Sequence, residues 1–296
     1  MNAGILYATG AYVAWGLLPL YFRQVAQVPA LEVVAHRTLW ALVVVLGLLA
    51  VRKQWAWLAG VRAQPRVLAA FAVSALLLSG NWLTYVWAVQ NQHVVDASLG
   101  YFILPLVNLA LGFAFLRERP RRGQWLAVAV ATAGVLWLAV QSGKFPWIAL
   151  VLALSFGIYG LLRKIAVLGA LEGLALETMM LAPVAALALG WWTVQGQGAL
   201  AHITSASAPT VGWLVLAGPL TAAPLLMFAA GVRRISLTTL GILQYISPSI
   251  QLLLGVWVFG EAFESVRMLG FALIWTALLI YSAEGWLVRH QRHAMV

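Results

Sequence analysis

Apolar runs about 20 residues long, the length a helix needs to cross a hydrocarbon layer, recur along nearly the whole chain. They fall at 3–22, 33–51, 67–90, 97–116, 123–141, 145–163, 174–194, 211–232, 238–259 and 267–287, separated by charged residues or by glycine and proline. The pattern predicts an all-α integral membrane protein with ten transmembrane helices. A membrane β-barrel is excluded, because its strands need only about 9–11 residues and a strict alternation that these runs lack. Composition excludes a soluble domain independently: 63% of the residues are hydrophobic and 9% charged, against roughly 45–50% and 25% in soluble proteins. The 18 basic and 8 acidic side chains cannot cover the surface of 296 residues with charge.

The net charge of +10 is not a nucleic-acid footprint, since the basic residues occur as short clusters between apolar runs. One alternate set of loops holds Arg52, Lys53, Arg62, Arg66, Arg117, Arg119, Arg121, Arg122, Arg163, Lys164, Arg233, Arg234, Arg289 and Arg292. Only Arg23, Arg37, Lys144 and Arg267 belong to the other set. Cytoplasmic loops carry the excess of Lys and Arg, so both termini are expected in the cytoplasm. The first run is too long for a signal peptide and lacks a basic start and a small-residue exit, so it reads as a span. The chain has no cysteine, which removes disulfides, thiol catalysis and Cys-ligated metals. Trp55, Trp57, Trp191, Trp192 and Trp286 fall near run ends, where aromatic belts form.

The two halves resemble each other. Residues 30–38 (ALEVVAHRT) match 170–178 (ALEGLALET) at an offset of 140, and Trp15-Gly16-Leu17-Leu18 matches Tyr159-Gly160-Leu161-Leu162 at 144. Pro105, Asn108, Gly112 and Glu118 correspond to Pro248, Gln251, Gly255 and Glu261 at 143. These offsets predict a duplicated five-helix unit, 1–142 and 143–296, the second ending in a short basic cytoplasmic tail. Each half has an odd number of spans, so the second enters the membrane inverted, a recurrent plan of secondary transporters with substrate held near the midplane.

Further motifs are Asn81-Trp82-Leu83, Trp87-Ala88-Val89, the stretch DASLGYFILPLVNLALG over 96–112, His36-Arg37, Gly160-Leu161-Leu162-Arg163-Lys164, Glu177-Thr178-Met179 and Thr239-Leu240-Gly241 leading to Gln244-Tyr245-Ile246. On these the chain resembles the RarD, or chloramphenicol-sensitive protein, branch of the EamA-type drug/metabolite transporters, over nearly its whole length. The resemblance implies a multi-pass protein of the bacterial inner membrane with inverted five-helix repeats and a central cavity. It implies movement of small metabolites or drugs by alternating access, with export the expected direction. Leu104 is a departure, since members of the branch often carry Asn before the proline of the fourth span.

Within the spans, burying an amide in lipid is costly unless it is hydrogen-bonded, so Asn81, Asn108, Gln244 and Gln251 should face the bundle, as solute contacts or as interhelical bonds. Trp15, Trp82, Tyr85, Tyr101, Tyr159 and Tyr245 complete the expected cavity set. Arg37 and Glu177 are repeat-equivalent residues of opposite charge, and a charge at mid-helix costs about 2.5–3.5 kcal/mol. Either they serve solute or coupling, or Arg37 snorkels and Glu177 caps its helix or pairs with Arg163 or Lys164. His36 could couple transport to protons or act as an interfacial hydrogen-bonder. Glu32, Glu172 and Asp96 open their runs as helix caps. Pro105 and Pro248 either gate the cavity or form packing kinks, and Gly100, Gly112, Gly241 and Gly255 allow close crossings.

An enzyme would need converging nucleophile, base or metal ligands, but His36, His93, His202, His290 and His293 are scattered. Metalloprotease, hydrolase, dinucleotide and P-loop signatures are absent, and no soluble segment could hold ATP. Neither catalytic residue, cofactor nor metal is expected. The expected partners are a small-molecule substrate and membrane lipid, with protons as a candidate coupling ion, no nucleic acid, and monomer or homodimer both open. A channel or a structural membrane protein is the alternative.

Overall fold

The computed structural model describes residues 2–90, 94–142, 145–201, 208–258 and 265–293, which form helices and short connections with no strand. In order these are α1 (Ala3–Gln24), α2 (Ala30–Arg52), α3 (Trp57–Arg62), α4 (Pro65–Gln90), α5 (Val94–Leu116) and α6 (Arg122–Ser142). Then come α7 (Trp147–Ile165), α8 (Ala170–Val194), α9 (Ala208–Val232), α10 (Leu237–Gln244), α11 (Ile246–Trp257) and α12 (Ser265–His293). Eight helices, α1, α2 and α4 to α9, are long and apolar enough to cross a membrane, and α12 holds a shorter apolar stretch, Met268–Glu284. The side chains of Asp96, Arg267 and Trp286, the surroundings of Gly255, and residues His93, Lys144, His202 and Glu261 lie outside what the structure describes.

The ninth apolar run departs from the expected single span. It folds as α10 and α11, which meet at Tyr245. Pro248 has no N–H for the carbonyl of Gln244 four residues back, and its ring crowds that oxygen. It therefore occupies the first turn of α11, where no intrahelical donor is required, while the Tyr245 N–H turns back to the Ile242 carbonyl at 3.2 Å. Pro105 instead lies inside the unbroken α5. The basic connection after α2 also differs from a plain loop, since it contains α3.

Short polar side chains start the helices. Asn2 Oδ1 accepts from the Gly4 N–H at 2.9 Å to cap α1, and Ser236 Oγ accepts from the Thr239 N–H at 3.0 Å to cap α10. The first turn of α10 receives a second anchor from the other half of the chain. Glu118 accepts from the Leu237 N–H at 2.7 Å, the Thr238 N–H at 3.1 Å and the Thr238 hydroxyl at 2.9 Å. A carboxylate there satisfies orphan donors and complements the helix dipole. Glu118→Ala is expected to lower stability by about 1–2 kcal/mol, read as a drop in the unfolding midpoint in detergent, with Glu118→Gln intermediate. Glu32, expected as a cap, sits in the first turn of α2 but turns its carboxylate to the Ala199 N–H of the α8–α9 connection.

α2 packs on α8 and α9, α1 on α9 and α11, α7 on α4 and α5, α6 on α12, and α5 on α10. The largest apolar cluster joins α1, α2, α4 and α7 to α10 through Tyr12, Val45, Leu78, Tyr159, Leu174, Phe228 and Leu237. Two crossings bring backbones together: a Cβ on Gly218 would lie 2.6 Å from the carbonyl of Trp40, and one on Gly241 would lie 2.8 Å from that of Pro105. Leu76, Leu136, Leu187 and Leu279 stand exposed on the outer helix faces, as lipid requires and water would not tolerate in such number. Trp55 and Trp191 are exposed as well.

Candidate functional site

Helical spacing gathers one face of α1. Tyr12, Trp15, Pro19 and Phe22 recur every three or four residues, the period that brings side chains to one stripe, and all four border a cavity inside the bundle. α4 adds Asn81, Trp82 and Tyr85 by the same spacing, α5 adds Tyr101, and α2 adds Arg37. Phe156 and Leu225 come from α7 and α9, and Gln244, Ser247 and Gln251 from either side of the α10–α11 break. The empty volume, open mouth included, is about 760 Å3. The lining residues are those toward the ends of α1 and α4 and the starts of α2 and α5, on the side opposite the N-terminus.

Seven of the ten residues expected in a cavity from sequence line this one: Trp15, Asn81, Trp82, Tyr85, Tyr101, Gln244 and Gln251. Three lie behind it. Asn108 donates to Gln244 Oε1 at 3.3 Å, and Tyr245 stacks on Phe102, its hydroxyl donating to the Phe102 carbonyl at 3.3 Å. Tyr159 is buried deeper, stacked on Phe228 with centroids 6.0 Å apart. The amides also act between helices. Asn81 Nδ2 donates to the Leu152 carbonyl and to Ser155 Oγ, both at 3.0 Å, and Gln251 Nε2 donates to the Trp15 carbonyl at 3.3 Å.

Arg37 is the charged residue of the lining. It is 7% exposed, its Nε donates to Thr221 Oγ1 at 3.0 Å, and its Cζ lies 4.7 Å from the Trp82 ring centroid and 5.7 Å from that of Phe22. His36 points elsewhere: its Nδ1 accepts from Trp40 Nε1 at 3.3 Å and its Nε2 lies 3.9 Å from Glu32. Pro105 and Pro248 flank the cavity without lining it.

Beneath the cavity an aromatic layer closes the bundle. Trp15 lies 5.5 Å from both Phe156 and Phe228, and Phe156 lies 5.2 Å from Phe228 and 5.4 Å from Tyr159. Beyond that layer Glu177 is fully buried. It accepts from Ser74 Oγ at 2.5 Å and from the Tyr159 hydroxyl at 3.4 Å, and lies 3.7 Å from Arg163 Nη1. Arg163 is 1% exposed and donates through Nη2 to the Ala170 carbonyl at 3.1 Å. A Cβ on Gly173 would lie 1.8 Å from Arg163 Nη1, so only glycine admits the guanidinium there. Lys164 points away, to the Val232 carbonyl at 3.0 Å, closing the end of α9.

Sequence reading does not single out Tyr12, Phe22, Phe156, Ser74, Ser247 or Thr221. Tyr12 and Phe156 each precede a named aromatic by three residues, which is a usable signal. Ser74 and Thr221 are met only across helices, where spacing along the chain is silent.

A bundle of membrane-spanning helices around an open, largely aromatic cavity is the architecture of a multi-pass membrane transporter. The EamA-like transporter family matches residues 2–140. An uncharacterized transporter of Pseudomonas aeruginosa is 44% identical over 286 residues, covering 97% of this chain and 95% of that one. Protein RarD of Escherichia coli K12 is 44% identical over 278 residues, 94% and 93% of the two chains. The chloramphenicol-sensitive protein RarD of Pseudomonas aeruginosa is 33% identical over 290 residues, 96% and 93%. A crystal structure at 18% identity superposes with a TM-score of 0.69 over 94% of this chain and 97% of that one, and so shares the fold. The chain belongs to the RarD branch of the EamA-like transporter family.

Proposed function

We propose that this protein is a secondary carrier that exports small metabolites or drugs across the bacterial cytoplasmic membrane by alternating access. It spans the membrane ten times, the α10–α11 pair counting as one span, as two inverted halves (1–142 and 143–296) with both termini in the cytoplasm. The duplication is supported by helix starts: α7, α8, α9, α10 and α12 begin 144, 140, 143, 143 and 143 residues after α1, α2, α4, α5 and α6. Contacts between halves are reciprocal too, since α1 packs on α9 and α11 while α7 packs on α4 and α5.

The observation that carries the mechanism is the contrast between equivalent positions. Arg37 and its surroundings border an open cavity, whereas Glu177, its counterpart 140 residues later, is sealed under Tyr159, Ser74 and Arg163. Two chemically similar halves held in different conformations are what an inverted-repeat carrier exchanges during its cycle. With the termini in the cytoplasm, the cavity opens to the outside and the Glu177 side is shut. Asn81, Trp82, Tyr85, Tyr101, Trp15, Gln244 and Gln251 then hold the solute, Asn108 and Tyr245 support them, and Pro105 and Pro248 provide the bends.

Counterflow in proteoliposomes tests this. Solute loaded on one side should accelerate uptake of labelled solute from the other and should saturate; chloramphenicol, which appears in one relative's name, belongs in the panel with amino acids and aromatic metabolites. Trp15→Ala and Trp82→Ala are each expected to raise the half-saturation concentration about tenfold, the effect of losing a buried aromatic contact. Flux that neither saturates nor responds to trans solute would make the protein a channel.

A further inference from the structure

Arg37 carries chemistry that transport alone does not require. It sits seven residues after the start of α2, about 10 Å along the helix axis, and it does not snorkel. Its guanidinium turns across the bundle, lying over Trp82 with Nε held by Thr221 on α9. The acidic side chains with described positions are engaged elsewhere or remote: Glu32 with Ala199, Glu118 with the start of α10, Glu177 with Ser74 and Arg163, Glu284 with Arg121 at 2.8 Å, and Glu172 in the first turn of α8. No carboxylate pairs with Arg37 among the described residues.

A buried guanidinium is costly unless an anion meets it. It has five N–H donors in a planar fork, and one is committed to Thr221. With its face against Trp82, the remaining edge is the part that can bind a planar two-oxygen anion by paired hydrogen bonds. Around it stand Trp15, Trp82, Tyr85, Tyr101, Phe22 and Phe156, whose rings suit a flat apolar body.

We infer that the substrate of this cavity is an organic monoanion, a carboxylate or similar group on an aromatic body, with the anionic group seated on Arg37 and the rings of Trp82 and Trp15 against the body. The inference rests on the carrier reading above and narrows it to a substrate class. A single cationic residue among the lining favours one negative charge over a phosphate dianion, which would need a second positive partner.

Three probes of one ring system and different charge separate the outcomes: indole-3-acetate, indole-3-acetamide and tryptamine, measured by calorimetric binding and by counterflow with the full chain in lipid. The acid is expected to bind about tenfold or more tightly than the neutral amide, the gain of a charge-assisted bidentate contact, and the amine not to bind. Arg37→Gln should bring the acid-to-amide ratio within about twofold, while Arg37→Lys should keep the order with a smaller ratio, because an ammonium is a point charge without the fork. If Arg37→Gln does not fold, the ranking of the three probes in the unaltered protein decides. Equal binding of acid and amide, preference for the amine, or counterflow confined to neutral and cationic solutes overturns the inference and leaves the carrier standing. Absence of counterflow for every solute removes both.

Discussion

Replacing Arg163 with alanine is expected to cost about 3–5 kcal/mol, because removing one partner of a buried ion pair strands the other charge. Arg163 and Glu177 are 1% and 0% exposed, and each is tied to backbone or hydroxyl groups around it, the Ala170 carbonyl on one side and Ser74 and Tyr159 on the other. The loss should appear as a lower unfolding midpoint. Arg163→Met combined with Glu177→Gln should recover most of it, since neutral residues of similar volume leave no stranded charge. The same pair joins α7 to α8 on the side away from the cavity, so weakening it should also move the population toward the conformation open on that side. The chain has no cysteine, so Ser74→Cys supplies a single, nearly isosteric thiol beside Glu177. It should be protected from an impermeant maleimide in the parent and become reactive, from the side where α7 ends, in the Arg163→Ala background. Unchanged midpoint and unchanged protection would show that the pair is not a clamp.

Gly218→Ala is expected to damage fold and cavity together. The added methyl would meet the Trp40 carbonyl carbon and oxygen at 2.6 Å, and backbone cannot rotate aside as a side chain can. α2 and α9 must separate, at a typical overpacking cost of about 1–3 kcal/mol. Arg37 lies one turn from Trp40, and Thr221 one turn from Gly218, so separation also pulls Thr221 from Arg37 Nε. The expected result is a lower midpoint with a half-saturation concentration raised beyond that of Gly47→Ala, whose added methyl meets nothing within 4 Å on the same helix α2. If the two variants behave alike, the α2–α9 crossing does not position Arg37.

Spans were legible in the sequence wherever an apolar run was bounded by charge, and eight helices follow those runs within a few residues. The break within the ninth run could not be read because the run is apolar throughout, and lipid preference averages over 20 or so residues while a helix break is decided by one proline ring against one carbonyl. Site residues divide in the same way. Trp15, Trp82 and Tyr85 could be named as aromatic residues inside apolar spans, whereas Tyr245, chosen on the same ground, and Asn108, chosen as a buried amide, face neighbouring helices instead. Residue type shows that an amide must turn inward, but not which of several inward directions it takes.

Arg163 shows the limit most plainly. Its place among basic loop residues marks topology, and pairing with Glu177 is only one of several alternatives that the sequence leaves open for that glutamate. Tertiary packing puts Arg163 at 1% exposure over Gly173 and beside Glu177, because α7 continues two residues past its apolar run and α8 offers a site without a side chain. The sequence alone determined that the chain lies in lipid as α-helices, since composition and run length set the solvent and the bilayer leaves the backbone few ways to satisfy its hydrogen bonds. Only the tertiary structure decided that Arg37 meets a cavity while Glu177 is sealed, because that depends on how helices distant in sequence cross.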